Sequence, residues 1–188
     1  MTSSDTSARS YSLPWVIFAL AIGGFCIGTT EFVAMGLIQE IAADLKVSIP
    51  SAGHFITAYA LGVTIGAPAL AILGAKLPRK TLLLGLMVFY GLANGLTALA
   101  DTPTSMLLSR FIAGLPHGAY FGIASLVAAD LAGQHRRATA IAQVMMGLTI
   151  ANVIGVPFAT WLGQSFGWRT GFEFSAMIAL ATILAISF

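Results

Sequence analysis

A run of 24 almost entirely apolar residues, Met106 to Ala129, constrains the fold of this chain more than any other stretch. At about 1.5 Å of rise per residue, it is long enough to cross a bilayer core of about 30 Å as an α-helix. The run also contains Arg110, and an arginine near the centre of an inserted helix costs roughly 2.5–3.5 kcal/mol. We therefore expect Arg110 to face a protein interior or an aqueous cavity and to have a partner there.

The spacing of the polar and small residues in this run indicates which face of the helix meets other helices. Arg110, Gly114, His117 and Gly118 recur at i, i+4, i+7 and i+8, which places all four on one face. Gly114, Gly118 and Gly122 also form a ladder of small residues, which allows a neighbouring helix to approach closely. This face is predicted to lie inside a helical bundle.

The composition makes the lipid bilayer the solvent of the whole chain. Only 9% of the residues are charged and 57% are hydrophobic, whereas soluble domains are about 25% charged. The net charge of +2 comes from scattered basic residues, so a nucleic-acid surface is not expected. An enzyme is not expected either, because HExxH and GxSxG motifs are absent and His54, His117 and His135 fall at three different depths. No cofactor or metal site is predicted.

Six apolar segments predict six transmembrane helices, and residues 1–12 precede them as an N-terminal segment. The predicted spans are 13–38, 51–74, 81–100, 106–129, 138–161 and 170–188. The connecting loops are short, so consecutive helices should be antiparallel neighbours. We therefore predict an all-α membrane protein of six helices, arranged as two inverted three-helix repeats.

Basic residues near the span ends predict the orientation of the chain. Six of them fall on one side of the membrane and two, Lys46 and Arg169, on the other. By the positive-inside rule the side with six is cytoplasmic, and both termini lie on that side. The six residues are Arg9, Lys76, Arg79, Lys80, Arg136 and Arg137.

Glu31 in the first span is a second charge within the membrane, and its depth matches that of Arg110. From the centres of their spans, Glu31 lies roughly 7–8 Å and Arg110 roughly 10 Å towards the outer face. Two interpretations remain open: a static ion pair that fixes helix register, and a working proton or substrate site. Tyr59 is a candidate substrate contact, and Asn94 is expected to bond a neighbouring helix.

The last two spans contain further polar and helix-bending residues. Gly155 and Pro157 predict a hinge in the fifth span. Asn152 beside them either lines a cavity or makes an interhelical hydrogen bond. At the start of the sixth span, Arg169 and Glu173 are four residues apart and are expected to pair with each other.

These segments together resemble the major facilitator superfamily, in the drug:proton antiporter branch that includes arabinose-efflux-permease-like inner-membrane transporters. The stretches that resemble it are GTTEFVAMGL, VSIPSAGHFITAYALGVTIGAP, SRFIAGLPHGAYFG and GLTIANVIGVPFATWLG with GWR. The resemblance covers essentially all 188 residues and corresponds to the first six of the family's twelve helices. Because the chain stops at Phe188 inside an apolar run, we expect it to be an N-terminal half or a fragment.

The resemblance implies roles for three groups of residues. Arg110 and Gly114 fit the span-four motif, in which a buried arginine is implicated in proton coupling. Gly155 and Pro157 fit the antiporter motif of span five loosely. The loop after span two resembles the family's gating motif, although Ala75 and Pro78 stand where an aspartate and a glycine are usual; the matching residues are Lys76, Arg79 and Lys80.

The function expected from these features is proton-coupled efflux of a small organic solute, sugar-like or drug-like, by alternating access across the inner membrane. Its proton-coupling and cavity residues are predicted to be Glu31, Arg110, His117, Tyr59 and Asn152. The expected partners are the solute, protons, lipid and a second six-helix half from the same parent chain, a separate chain or a dimer. The alternative is a membrane subunit or scaffold that pairs with such a half without transporting.

Overall fold

The computed structural model describes residues 12–188, so the predicted N-terminal segment and Arg9 lie outside the described residues, apart from Ser12. This part of the chain contains helices and no strand. Six of its helical segments are long and apolar enough to cross a membrane, which confirms the predicted all-α membrane fold. The helices are α1 (Leu13–Gly36), α2 (Ile38–Asp44), α3 (Ile49–Leu73), α4 (Arg79–Ala98), α5 (Pro103–Ala132), α6 (Arg137–Ile150), α7 (Val156–Phe166) and α8 (Arg169–Ser187).

The shorter helices α2, α6 and α7 are parts of longer helical segments. Helix α2 follows α1 after a single residue, Leu37. Helices α6 and α7 are joined by a π-helical turn, Ala151–Gly155, and together with a preceding 3₁₀ turn they form the fifth span. The first, second, third, fourth and sixth spans are α1, α3, α4, α5 and α8.

The start of α5 shows how local sequence ends a loop and begins a span. The Oγ1 atom of Thr102 accepts a hydrogen bond from the backbone N–H of Ser105, and the Ser105 hydroxyl accepts one from the Thr102 N–H. This reciprocal capping satisfies two N–H groups that the helix itself cannot pair. Pro103 follows in the first turn, where its missing N–H costs nothing.

The helix pairings agree with two inverted three-helix repeats. Spans two and four pack together, as do spans five and one; spans three and four pack together, as do spans six and one; and span three packs on span six. Exchanging the first three spans with the last three leaves these five pairings unchanged, although span five also packs on spans four and six. The predicted symmetry is therefore present in the packing, although no repeat is visible in the sequence.

Glycines bring α3 and α5 into backbone contact. A Cβ added at Gly114 would lie 2.2 Å from the carbonyl oxygen of Tyr59, and one at Gly118 would lie 2.5 Å from the Cβ of Ala67. A Cβ at Gly122 would meet nothing within 4 Å. The predicted ladder therefore contacts a neighbouring helix at Gly114 and Gly118 but not at Gly122.

Two arginine–aspartate ion pairs connect the two repeats, one at each end of the bundle. Arg79 at the start of α4 pairs with Asp130 near the end of α5. Arg169 at the start of α8 pairs with Asp44 at the end of α2, with 2.7 Å between Nη1 and Oδ2. Each pair joins the third span of one repeat to the first span of the other, so the two pairs are equivalent under the inverted symmetry.

The second ion pair corrects the expected pairing of Arg169 with Glu173. The Nη2 atom of Arg169 also donates to the Ala100 carbonyl at 2.9 Å, and its guanidinium lies 4.3 Å from the ring centroid of Trp168. The Trp168 Nε1–H donates to Asp44 at 3.0 Å. Arg169 therefore bonds Asp44 and the Ala100 carbonyl, whose positions are fixed by other chain segments. These acceptors take the place expected for Glu173, an exposed side chain one turn along α8.

We expect Asp44→Asn to destabilise the protein at neutral pH but not in acid. The hydrogen bond from Arg169, with a second from Trp168, lowers the pKa of Asp44. A lowered folded-state pKa stabilises the fold fully above the unfolded value of about 3.9, and this contribution disappears as the pH falls through the folded value. The pair is exposed, so the loss should stay below about 1 kcal/mol.

The measurement is the unfolding free energy of the wild type and the variant, compared from neutral pH down to acid. Glu173→Gln is the matched control, because Glu173 is exposed on α8, the helix of Arg169, and belongs to neither of the ion pairs found in residues 12–188. A difference between wild type and Asp44→Asn that is independent of pH would show that the carboxylate charge is not what stabilises this end.

Candidate functional site

Arg110 lies on α5 and is completely buried, with 0% of its surface exposed. None of its three side-chain nitrogens has a hydrogen-bond partner among the described residues. Its guanidinium instead lies between aromatic rings, with Cζ 4.2 Å from the centroid of Tyr59 and 5.3 Å from that of Phe172. The negative faces of the rings attract the cation and partly offset its desolvation. The partner expected for Arg110 is therefore aromatic.

Glu31 lies on α1, half-buried, and does not form an ion pair with Arg110. The ion pairs of residues 12–188 are those of Arg79 and Arg169, so the direct contact that equal depth suggested is absent. Stacking of the guanidinium on Tyr59 accounts for the difference, because it holds the cation away from the carboxylate. The two charges still interact electrostatically at longer range.

Tyr59 on α3 connects several of the buried polar groups. Its Oη atom lies 3.0 Å from Nδ1 of His117 and 3.3 Å from Oη of Tyr90. The Tyr90 hydroxyl donates to the carbonyl of Ile27 on α1, also at 3.3 Å. The structure thus places two predicted residues, His117 and Arg110, in contact with a third, Tyr59. It adds Tyr90, which the sequence analysis did not identify.

Asn94 corrects another expectation from the sequence. Its Nδ2 atom donates to the carbonyl of Tyr90 at 2.9 Å, one turn earlier in α4, rather than to a neighbouring helix. Its Oδ1 atom is buried and has no partner among the described residues. Tyr90 and Asn94 are four residues apart and share one face of α4, and this spacing was the available signal that the helix has a polar face.

The π-helical turn lies at the position where the sequence predicted a hinge. Asn152 lies within the turn, is exposed, and donates to a carbonyl one turn earlier in its own helix at 2.9 Å. Gly155 ends the turn, and a Cβ there would lie 2.2 Å from Oγ1 of Thr29 on α1. Pro157 follows and has no N–H to donate, so the wider turn accommodates the missing bond. The functional role of these residues remains a prediction.

The predicted gating residues lie at one end of the bundle. Lys76 is exposed in the loop after α3. Arg79 pairs with Asp130, and Nζ of Lys80 donates to the carbonyl of Ser187 at 2.8 Å. Arg79 therefore connects α4 to α5, and Lys80 connects α4 to α8. Lys76 lies in the loop that precedes them. Their gating role is still a prediction.

Metal ligands do not cluster in the described part of the chain. Between residues 12 and 188, no group of three or more His, Cys, Asp or Glu side chains could hold a metal ion. Cys26 is buried, and its Sγ donates to the carbonyl of Ser175 at 3.2 Å. Its environment is that of a packed core residue.

Several known proteins are similar to this chain. It is 46% identical over 172 residues to the inner membrane transport protein YdhP of Escherichia coli (strain K12), a match that covers 92% of this chain and 44% of that protein. It is 32% identical over 174 residues to the chloramphenicol resistance protein of Streptomyces lividans, covering 93% of this chain and 44% of that protein. The chain therefore spans less than half the length of these relatives.

The fold also matches a solved structure. The proton:xylose symporter XylE bound to 6-bromo-6-deoxy-D-glucose superposes with a TM-score of 0.81 over 93% of this chain and 44% of the symporter. At 15% sequence identity this match shows a shared fold. Residues 20–188 match the sequence profile of the Major Facilitator Superfamily, in agreement with the motifs and the packing. The chain belongs to the major facilitator superfamily.

Proposed function

We propose that this chain forms the N-terminal six-helix half of a proton-coupled exporter of a small organic solute. Its relatives are membrane transporters, and one is named a chloramphenicol resistance protein, which supports a drug-like solute. The proposal rests on one observation: a fully buried arginine without a hydrogen-bond partner lies beside an aromatic ring, and a half-buried carboxylate on a neighbouring helix is within electrostatic range.

The chemistry of Arg110 and Glu31 suggests how protons and solute are coupled. When Glu31 is charged, it attracts the guanidinium and competes with the ring of Tyr59 for it. When Glu31 is protonated, the attraction is lost and Arg110 stays on Tyr59, 4.2 Å from the ring centroid. Each proton that binds or leaves thus changes which partner Arg110 prefers, and this change biases the two states of alternating access.

The second half completes the pathway in this proposal. Alternating access places the solute between two six-helix halves, and the present chain spans 44% of its curated relatives. The excess of basic residues in the loops that contain Lys76 and Arg136 supports a cytoplasmic location for those loops and for both termini. The π-helical turn between α6 and α7 is proposed to bend as the halves rock.

Glu31→Gln is expected to leave the protein folded and to uncouple export from the pH gradient. The amide keeps the size of the side chain but does not ionise, so Arg110 no longer has a titrating competitor. The measurement is export of radiolabelled chloramphenicol from proteoliposomes that contain the complete transporter, with and without an imposed pH gradient. We expect the pH-driven component to fall at least tenfold while solute exchange at equal pH is retained.

Glu173→Gln serves as the control, because Glu173 is also a carboxylate within a span but is exposed on α8. Its pH-driven export should match that of the wild type. Undiminished pH-driven export in Glu31→Gln would reduce that carboxylate to a structural role. Failure of the wild type to move chloramphenicol or any related drug-like solute would instead favour the non-transporting subunit.

A further inference from the structure

Only one arrangement of polar protons makes all three contacts from His117 through Tyr59 and Tyr90 to Ile27 hydrogen bonds. The Tyr90 hydroxyl has one proton, and it is donated to the carbonyl of Ile27, which can only accept. Tyr90 can therefore take part in its 3.3 Å contact with the Tyr59 hydroxyl only as an acceptor. In that arrangement the single proton of Tyr59 points at Tyr90.

This assignment decides the state of His117. The Tyr59 hydroxyl has no second proton to give to Nδ1 of His117, which lies 3.0 Å away. A hydrogen bond at that distance requires the proton to come from the imidazole, so Nδ1 is the protonated nitrogen. Arg110 cannot change this count, because a guanidinium offers no acceptor and here contacts the ring of Tyr59 rather than its hydroxyl.

The other imidazole nitrogen, Nε2, is then left with a lone pair. His117 is only partly buried, and Nε2 makes no hydrogen bond within residues 12–188. Nε2 is also not one of the side-chain atoms of residues 12–188 that are buried without a hydrogen-bond partner. Nε2 therefore reaches the surface of the helical unit, on the same face of α5 as Arg110.

We propose that His117 presents Nε2 as a hydrogen-bond acceptor to an N–H or O–H group of the solute. Tyr90 and Tyr59 are the positioning residues that hold the imidazole in the required tautomer, through a chain of three hydrogen bonds that ends on α1. The solute part of this inference rests on the proposed transport function, whereas the tautomer follows from the packing of this chain alone. Solutes with a donor group opposite Nε2 are selected over those with only acceptors.

The tautomer is measured by nitrogen NMR on ¹⁵N-histidine-labelled protein in lipid nanodiscs. His54→Gln and His135→Gln leave His117 as the one histidine of the chain. At a pH about two units above the ordinary histidine pKa of ~6.5, the ring is expected to show a protonated Nδ1 and an unprotonated Nε2. A protonated Nε2 in this protein would overturn the proposal.

Tyr90→Phe is expected to reverse the tautomer. Without Tyr90 as an acceptor, the Tyr59 proton would be left buried and unpaired unless it turned to Nδ1 of His117, which moves the ring proton to Nε2 where water reaches it. Tyr120→Phe is the matched control. Tyr120 is equally buried, and its hydroxyl donates to the carbonyl of Leu20 on α1, the helix of Ile27, at 2.9 Å, but it lies outside the chain of contacts. An unchanged tautomer in Tyr90→Phe, or a reversal in Tyr120→Phe, would contradict the assignment.

The acceptor role is tested on the same samples with chloramphenicol, which has amide N–H and hydroxyl donors. Its addition is expected to shift the Nε2 resonance saturably in the protein with His117 as its one histidine, and to leave it unmoved when Tyr90→Phe is added. If Nε2 does not respond in the protein that retains Tyr90, the acceptor role is wrong even where export is observed. A response at Nε2 without export would instead show that the proposed transport function is wrong while the acceptor role holds.

Discussion

Replacing Arg110 by methionine is expected to make the protein more stable and to abolish proton-driven export. The guanidinium is fully buried with no hydrogen-bond partner, so the fold bears a desolvation cost that the two aromatic contacts only partly offset. Methionine fills similar space without charge. From the cost of an arginine within a membrane, about 2.5–3.5 kcal/mol, we expect a net gain in stability of about 1–3 kcal/mol.

The stability is measured by thermal unfolding in detergent, and the export in proteoliposomes with an imposed pH gradient. Arg110→Lys is the companion variant, because it keeps the charge but loses the planar group that stacks on Tyr59. It should be no more stable than the wild type and should also export poorly. If Arg110→Met unfolded or retained proton-driven export, Arg110 would be a structural residue and the proposed coupling would be wrong.

Replacing Gly66 by alanine is expected to separate α3 from α5 and to destabilise the fold by about 3 kcal/mol or more. The added Cβ would lie 2.1 Å from the carbonyl oxygen of Leu115 and 2.4 Å from its Cα. Both atoms belong to the backbone of α5, so no side-chain rotation can relieve the clash. The pair α3 and α5 also contains Tyr59, His117 and Arg110, and their contacts should be lost with the packing.

Gly85→Ala provides the comparison for this substitution. Gly85 is also a glycine inside a membrane helix, α4, but a Cβ there meets nothing within 4 Å. This variant should be as stable as the wild type or slightly more so, since alanine favours helix by about 1 kcal/mol. Thermal unfolding of both variants in the same detergent gives the comparison. Equal stability of Gly66→Ala and Gly85→Ala would show that α3 and α5 do not pack through their backbones.

The six spans and the general location of Arg110 could be predicted from the sequence alone. The length of an apolar run compared with the thickness of a bilayer is a local property, and it decides that a segment such as Met106–Ala129 forms a spanning helix. The cost of a charge in lipid likewise directs Arg110 away from lipid and towards the protein interior without knowledge of any neighbour. Glycine spacing indicated the close face of α5, although the contact ends before Gly122.

The partners of these residues were decided only by the tertiary structure. Equal depth suggested that Glu31 meets Arg110, but the guanidinium lies on the ring of Tyr59. Arg169 pairs with Asp44, which is 125 residues away in the sequence, rather than with a neighbour one turn along its helix. In a membrane helix almost every face is apolar, so hydrophobic periodicity does not reveal which faces meet. Contacts such as that of Tyr90 with Tyr59 are therefore fixed by helix packing, which local sequence patterns do not encode.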